Sequence, residues 1–269
     1  FAEKNRKGEW WQYALPAPLN GDPNVNYSTT VERRLPGGWE IKRAIDLEAN
    51  LGSLEPPQAL AFFDGAVPGW STALSRSIPR REVVGRLVTS FKAEEGCGNI
   101  PTITLLTAAG CEGKTTVILQ AAYEIIKDDP DWSILRRTTD ARPFNINELV
   151  PFLGGAGKWL VVLDGADQAA KAVQTFAASG VELARGKVSF LLACRDSDWL
   201  AVEADKLEWK TVSNFKHEQL SGLSHVDADK IVGAWSIFGD AGLGELVRTE
   251  EKLRAKRFED LAKLEAKSS

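Results

Sequence analysis

A nine-residue run carries the most specific chemistry in the chain: Ala108-Ala109-Gly110-Cys111-Glu112-Gly113-Lys114-Thr115-Thr116. It follows an apolar stretch and opens a helical one, the context in which a glycine-bearing Lys-Thr loop cradles phosphate. Backbone N–H groups of such a loop and of the helix start converge on an anion, and the helix dipole adds to their field. Gly110 and Gly113 permit the tight turn and a close approach of backbone to ligand. Lys114 is expected to reach the β- and γ-phosphates, and the Thr115 hydroxyl to ligate Mg2+. Ala108, Ala109, Cys111, Glu112 and Thr116 complete the candidate set. Position 108 is one where the general pattern prefers glycine; alanine is the smallest alternative, and binding is expected to survive. Cys111 is expected to be a passive loop residue, although a helix N-terminus can lower a thiol pKa.

Two further groups lie at strand ends. Trp159–Leu163 is apolar and runs into Asp164-Gly165-Ala166-Asp167. A carboxylate at that edge, Asp164, is placed to hold a Mg2+ shell. Asp167 has two readings: it orients or deprotonates an attacking water, or it only stabilises a helix N-terminus. The next apolar run ends in Cys194-Arg195-Asp196. Arg195 is placed to contact a γ-phosphate, or else to pair with Asp196 or Asp198, which are expected to cap the following helix.

Regular elements must position these groups. Arg81–Lys92 is predicted helical from the spacing of Val83, Val84, Leu87, Val88 and Phe91. Strands are predicted at Ile103–Thr107, Trp132–Arg136, Trp159–Leu163 and Val188–Cys194, with a weak fifth at Trp209–Val212. Helices are predicted at Thr115–Asp128, Asn145–Leu153 and Ala166–Ala184. Continuous apolar strands alternating with helices imply a parallel sheet covered on both faces. A short helix and a Gly/Pro turn are expected within residues 58–75, and a polar loop at Glu94–Pro101. Further on, Asp227–Phe238 carries a helical apolar stripe, and Glu245–Lys267 is helical and mixed in charge. Residues 1–57 are dense in turn-formers and aromatics. They read as loop-rich, the tail of a preceding domain or a linker to one.

Composition removes several classes. The 269 residues are 43% apolar and 26% charged, ordinary for a globular chain, and no run approaches the ~20 apolar residues of a membrane span. The net charge of −4 offers no global electrostatic case for direct nucleic-acid binding. Cys97, Cys111 and Cys194 lack CxxC spacing, so neither a disulfide framework nor a zinc site is supported. A reducing, cytoplasmic setting with no membrane partner is the expectation. With only His217 and His225, histidine-based metal sites and Ser-His-Asp chemistry are poorly supplied. The chain contains no methionine and opens on Phe1. It is therefore expected to be a segment of a longer protein, or a sequence from which modified methionines are missing.

With these sites placed, residues 60–246 resemble the STAND class of P-loop ATPases, signal-transduction ATPases with numerous domains. Ala108–Thr115 stands as the class's Walker A, Asp164-Gly165-Ala166-Asp167 as its Walker B, and Arg195 as its sensor arginine. Ile78-Pro79-Arg80-Arg81 is similar to the segment that covers adenine in this class. That implies a base contact from the backbone near Ile78 and Pro79, and a base or phosphate contact from Arg80. Leu220–Leu223 with Asp227–Trp235 resembles the start of a small helical lid. Phe63–Gly65 and Pro68–Trp70 resemble bacterial members with an N-terminal effector, as in antiphage defence. No winged-helix Gly-x-Pro signature is present, which fits a fragment without its effector and sensor domains.

The resemblance implies a three-layer α/β P-loop NTPase core with a parallel sheet, a partial helical lid and a loop-rich N-terminal extension. The divisions are residues 1–57 (extension), 58–215 (core with its adenine-side segment) and 216–269 (lid). Its cofactors would be ATP or ADP with Mg2+; no Asn/Thr-Lys-x-Asp guanine reader follows the loop. It would act as a slowly hydrolysing switch that controls homo-oligomerisation through the core, in a larger signalling or defence protein. A non-hydrolysing nucleotide scaffold, a nucleic-acid-dependent ATPase and a small-molecule kinase are the rival readings.

Overall fold

The computed structural model describes residues 10–13, 31–95, 100–139, 143–153, 157–179 and 187–268. Cys97, the loop glycines Gly96 and Gly98, the turn-formers between residues 14 and 30, and the end of the helix expected to reach Ala184 lie outside the described residues. Trp10–Tyr13 (β1) and Val31–Arg34 (β2) pair antiparallel as a separate hairpin. In chain order there follow Trp39–Lys42 (β3), Ala44–Glu48 (α1), Pro56–Phe63 (α2), Trp70–Leu74 (α3), Glu82–Glu94 (α4) and Thr102–Ala108 (β4). Next come Lys114–Ile126 (α5), Trp132–Arg137 (β5), Val150–Leu153 (α6), Lys158–Asp164 (β6), Ala170–Ser179 (α7) and Val188–Arg195 (β7). The chain ends with Asp196–Ala201 (α8), Trp209–Val212 (α9), Asn214–Leu220 (β8), His225–Ser236 (α10), Gly239–Leu243 (α11) and Arg254–Ser268 (α12).

The main sheet has six strands in the order β3-β5-β6-β7-β4-β8, parallel except for β3. Alternation along each central strand splits its side chains between two cores. Leu106, Leu160, Val162, Leu191 and Ala193 face one layer, filled by α3, α4 and α5. Leu105, Val161, Leu163, Phe190 and Leu192 face the other, filled by α6, α7, α8 and α9. Every residue of β4 is buried, Thr102, Thr104 and Thr107 included, so no charged side chain interrupts it. α4 buries Val83, Val84, Leu87 and Phe91, the stripe its spacing predicts.

The structure corrects three expectations. Trp209–Val212 is a helix, not a strand. Trp209 lies stacked between Trp199 and Phe215, at ring separations of 5.6 and 5.2 Å, and donates its indole N–H to the Ala204 carbonyl. The strand that follows, β8, is an edge strand with half-exposed polar side chains, so no apolar run announces it. The second correction concerns the N-terminal segment. Trp39–Lys42 forms the opposite edge, antiparallel to β5, with Trp39 and Ile41 packed on the second core. Glu40 accepts from the Trp70 indole at 2.7 Å and from Arg136 at 3.0 Å, tying this edge to α3. Beyond it, Leu47 is fully buried in the first core. Third, Glu245–Lys267 is not one helix. Gly244–Arg248 and Glu251–Leu253 are 3₁₀ turns, with Thr249 extended between them, before α12 begins. The break turns Leu246 and Val247 onto Val232, Trp235 and Phe258. Among the described residues no helix is long and apolar enough to cross a membrane.

Candidate functional site

Parallel register brings four strand ends to one edge of the sheet. Ala108 is opposite Arg195 on one side and Leu220 on the other, and Asp164 is opposite Ala193. β7 therefore lies between the strand of the Lys-Thr loop and the strand of the acidic pair. This is the crevice outside strand C-termini, at a change of strand order, where ligands of open α/β sheets bind.

The loop turns on left-handed backbone at Cys111 (φ +58) and Gly113 (φ +82), and Gly113 caps α5. A side chain at 113 would be strained by that angle. Cys111 pays the same cost at its own position, and its thiol is exposed. Lys114 lies folded over the loop, with Nζ donating to the carbonyls of Ala109 and Ala108. Burial lowers its ammonium pKa, opposed first by Asp164 and reinforced by Arg195. The Thr115 hydroxyl donates directly to Asp164 Oδ2. Two oxygen donors in contact suit Mg2+, which takes few protein ligands and keeps water and phosphate oxygens.

Arg195 is exposed beside the loop strand and forms no ion pair among the described residues. Asp196 and Asp198 sit in the first turn of α8, but Arg195 occupies its N-cap position and no side-chain cap bond forms. Asp167 lies in the 3₁₀ turn Ala166–Ala169, which Gly165 (φ +76) redirects out of β6. It is close enough to Cys194 to act on it: burial first, then Asp167 and Asp196, push that thiol up to about 12.

The other side of the loop opens into a cavity of about 320 Å3. Gly110–Gly113 and Thr116 form one wall, Ile78 and Pro79 a second, and Leu223, Trp235 and Phe258 of the helical tail a third. Ile78 and Pro79 are thus brought to the loop. Arg80 is not among the lining residues; it points to Glu124 on α5 and pairs with it.

The arginine that meets the loop is Arg81, which sequence reasoning left without a role. Its side chain is 11% exposed. One Nη donates to Glu112 O at 2.7 Å, the other to Gly222 O, and Nε lies 3.5 Å from Asp227 Oδ2. Burial lowers its pKa, against the pull of Asp227 and Glu112. Around it, Asp227 Oδ1 accepts from Glu82 N at 2.9 Å, and Glu112 Oε1 accepts from Gly222 N at 3.3 Å. Spacing along the chain does not single it out: Arg80 and Arg81 stand the same three residues ahead of the buried Val83 and Val84.

No curated protein matches the chain. Among solved structures it is similar to the Aeropyrum pernix ORC2 protein in its ADPNP-ADP complexes, at 13% identity and a TM-score of 0.48, covering 60% of this chain and 53% of that one. It is also similar to CDC6P from Pyrobaculum aerophilum, at 17% identity and a TM-score of 0.45, covering 65% and 52%. A third is the Thermotoga maritima RuvB Holliday junction branch migration motor, at 10% identity and a TM-score of 0.42, covering 67% and 63%. The chain spans about half the length of the first two. Residues 60–207, more than half of the chain, match the family described as Novel STAND NTPase 5, and they include the Lys-Thr loop, the acidic strand end and Arg195. The protein is a member of that STAND family of P-loop NTPases.

Proposed function

We propose that the chain is the ATP-binding, slowly hydrolysing switch of a larger signalling or defence protein. The observation that carries this is the cavity, walled on one side by the phosphate loop and on another by the helical tail. A nucleotide seated there touches both bodies, so its binding free energy acts on their relative position. In this reading the base lies among Ile78, Pro79, Trp235 and Phe258. The phosphates lie over residues 110–116 with Lys114 beside them. Thr115 and Asp164 hold Mg2+, which when bound neutralises phosphate charge. Asp167 orients the attacking water and Arg195 faces the γ-phosphate. The sheet body, which runs from Trp39 to the end of β8 at Leu220, then forms the core and the helices after it the lid, two bodies whose arrangement γ-phosphate contacts bias. Homo-oligomerisation through the core, and effector and sensor domains in the same longer chain, complete the proposal. The net charge of −4 favours this over a nucleic-acid-driven motor.

Calorimetric titration with ADP and ATP tests it, comparing the parent with Lys114→Ala. Charge-assisted contacts to phosphate are worth about 1.5–3 kcal/mol, so a loss of about ten- to a hundredfold is expected. Equal affinity in the variant would sink the phosphate assignment. Bound nucleotide without any turnover would favour a non-hydrolysing scaffold.

A further inference from the structure

Three segments far apart in sequence meet at one guanidinium. Arg81 sits at the N-cap of α4, donates to the phosphate-loop carbonyl of Glu112 at 2.7 Å, and reaches Gly222 O and Asp227 at the start of the helical tail. The loop answers through its own side chain, since Glu112 Oε1 accepts from Gly222 N. The tail answers in turn: Asp227 Oδ1 accepts from Glu82 N, and Ser224 Oγ donates to Glu82 Oε2 at 2.9 Å. Ser224 also caps α10 by accepting from Asp227 N, so this carboxylate is held at a fixed place in the first turn of that helix. Both charged partners are largely buried, at 11% and 6% side-chain exposure.

Geometry gives the contact at Glu112 a second effect. A trans peptide unit points its C=O and N–H in opposite directions. Holding the Glu112 carbonyl on Arg81 therefore sets the direction of the Gly113 N–H, on the far side of the same plane. That peptide lies between the left-handed Cys111 and Gly113, just ahead of the first α5 bond, in which the Gly113 carbonyl accepts from Val117 N. The fork is also not replaceable by a point charge. Arg81 spans acceptors on two chain segments with a planar group, whereas lysine offers one compact ammonium.

We propose that Arg81 is a positioning residue that sets the Glu112–Gly113 peptide of the phosphate loop and ties it to Gly222 and Asp227, so that loop geometry and lid position change together. This rests on the nucleotide reading of the loop and names how that site is regulated. Arg81 acts through the loop backbone. A lid swung away from the core withdraws Asp227 and Gly222, and a guanidinium so stripped of its partners is no longer fixed on Glu112.

ADP affinity by calorimetry, for Arg81→Lys, Asp227→Asn and the double variant, tests the proposal. Hydrogen exchange of the peptide spanning residues 220–236, with and without saturating ADP, tests the coupling itself. Arg81→Lys is expected to weaken ADP about ten- to a hundredfold, and Asp227→Asn about fivefold or more. The double variant is expected within about twofold of Arg81→Lys, because the two act as one unit. Saturating ADP should slow exchange at 220–236 in the parent and not in Arg81→Lys. A merely structural arginine would leave that protection intact, and this result overturns the proposal. So do parent-like ADP affinity in Arg81→Lys and additive losses in the double variant. If Arg81→Lys does not fold, the exchange comparison on Asp227→Asn decides in the same way. The nucleotide reading stands or falls separately, on whether the parent binds ADP and depends on Lys114 for it.

Discussion

Gly242 offers a test in which two physical effects predict opposite signs. It is buried in α11, where a Cβ built on its backbone would lie 2.2 Å from the Trp235 carbonyl oxygen and 2.9 Å from the Phe238 Cβ. The obstruction includes backbone, so no side-chain rotation relieves it. Helix propensity alone would make Gly242→Ala stabilising by about 0.8–1 kcal/mol. Overpacking of a closed contact costs about 1–3 kcal/mol, and an overlap of this depth against a carbonyl belongs at the upper end. The net expectation is a loss of about 1–2 kcal/mol, the overpacking cost less the propensity gain. Gly233, exposed in neighbouring α10, is the control: nothing lies within 4 Å of a Cβ there. Gly233→Ala should therefore gain about 0.4–1 kcal/mol, chiefly by restricting the unfolded chain. Denaturant unfolding of the parent and both variants reads the two signs side by side. The effect should reach the nucleotide as well. Trp235 lines the cavity and packs on Phe63 and Phe258, at ring separations of 5.0 and 4.9 Å, so displacing its backbone disturbs the wall that closes over the ligand. ADP affinity should fall in Gly242→Ala and hold in Gly233→Ala. A stabilised Gly242→Ala with parent affinity would refute the close approach of α11 to α10.

Two further outcomes follow from the site. Cys194 is pushed from its ordinary 9.0 to about 12, so above pH 9 the unfolded chain loses a thiol proton that the folded chain keeps. Stability should then fall with rising pH through that window, by about 1.4 kcal/mol per pH unit at most; Cys194→Ala should flatten this slope in denaturation at pH 8.5 and 10.5, and equal slopes would count against it. Asp167→Asn should keep ADP affinity and reduce ATP turnover by about a hundredfold or more. Unchanged turnover would leave Asp167 only its place in the turn after β6.

Much of this fold was legible because burial on both faces leaves a one-dimensional trace. β4 and the middles of β6 and β7 carry no charged side chain because helices cover both their faces, and β5 shares this over Trp132–Leu135. The edges left no such trace. β8 shows Lys216, His217 and Gln219 to solvent, and β3 needs only Trp39 and Ile41 inside, so each resembles loop sequence until its partner is known. The site divides along the same line. The Lys-Thr loop and the Asp164 strand end are local patterns, and their junction through Thr115 follows once the strands are in register. The contacts between α4 and the helical tail are long-range: Arg81 and Gly222 are 141 residues apart, and Ser224 and Glu82 are 142 apart. No spacing rule links residues so distant, and adjacent arginines look alike in a string. What separates Arg80 from Arg81 is one step around the start of α4, which sends the first to Glu124 and the second into the joint between loop and tail. Groups that join segments distant in sequence contribute little to the local pattern of either, so the residues that tie loop to tail are harder to read from sequence than those of the Lys-Thr loop itself.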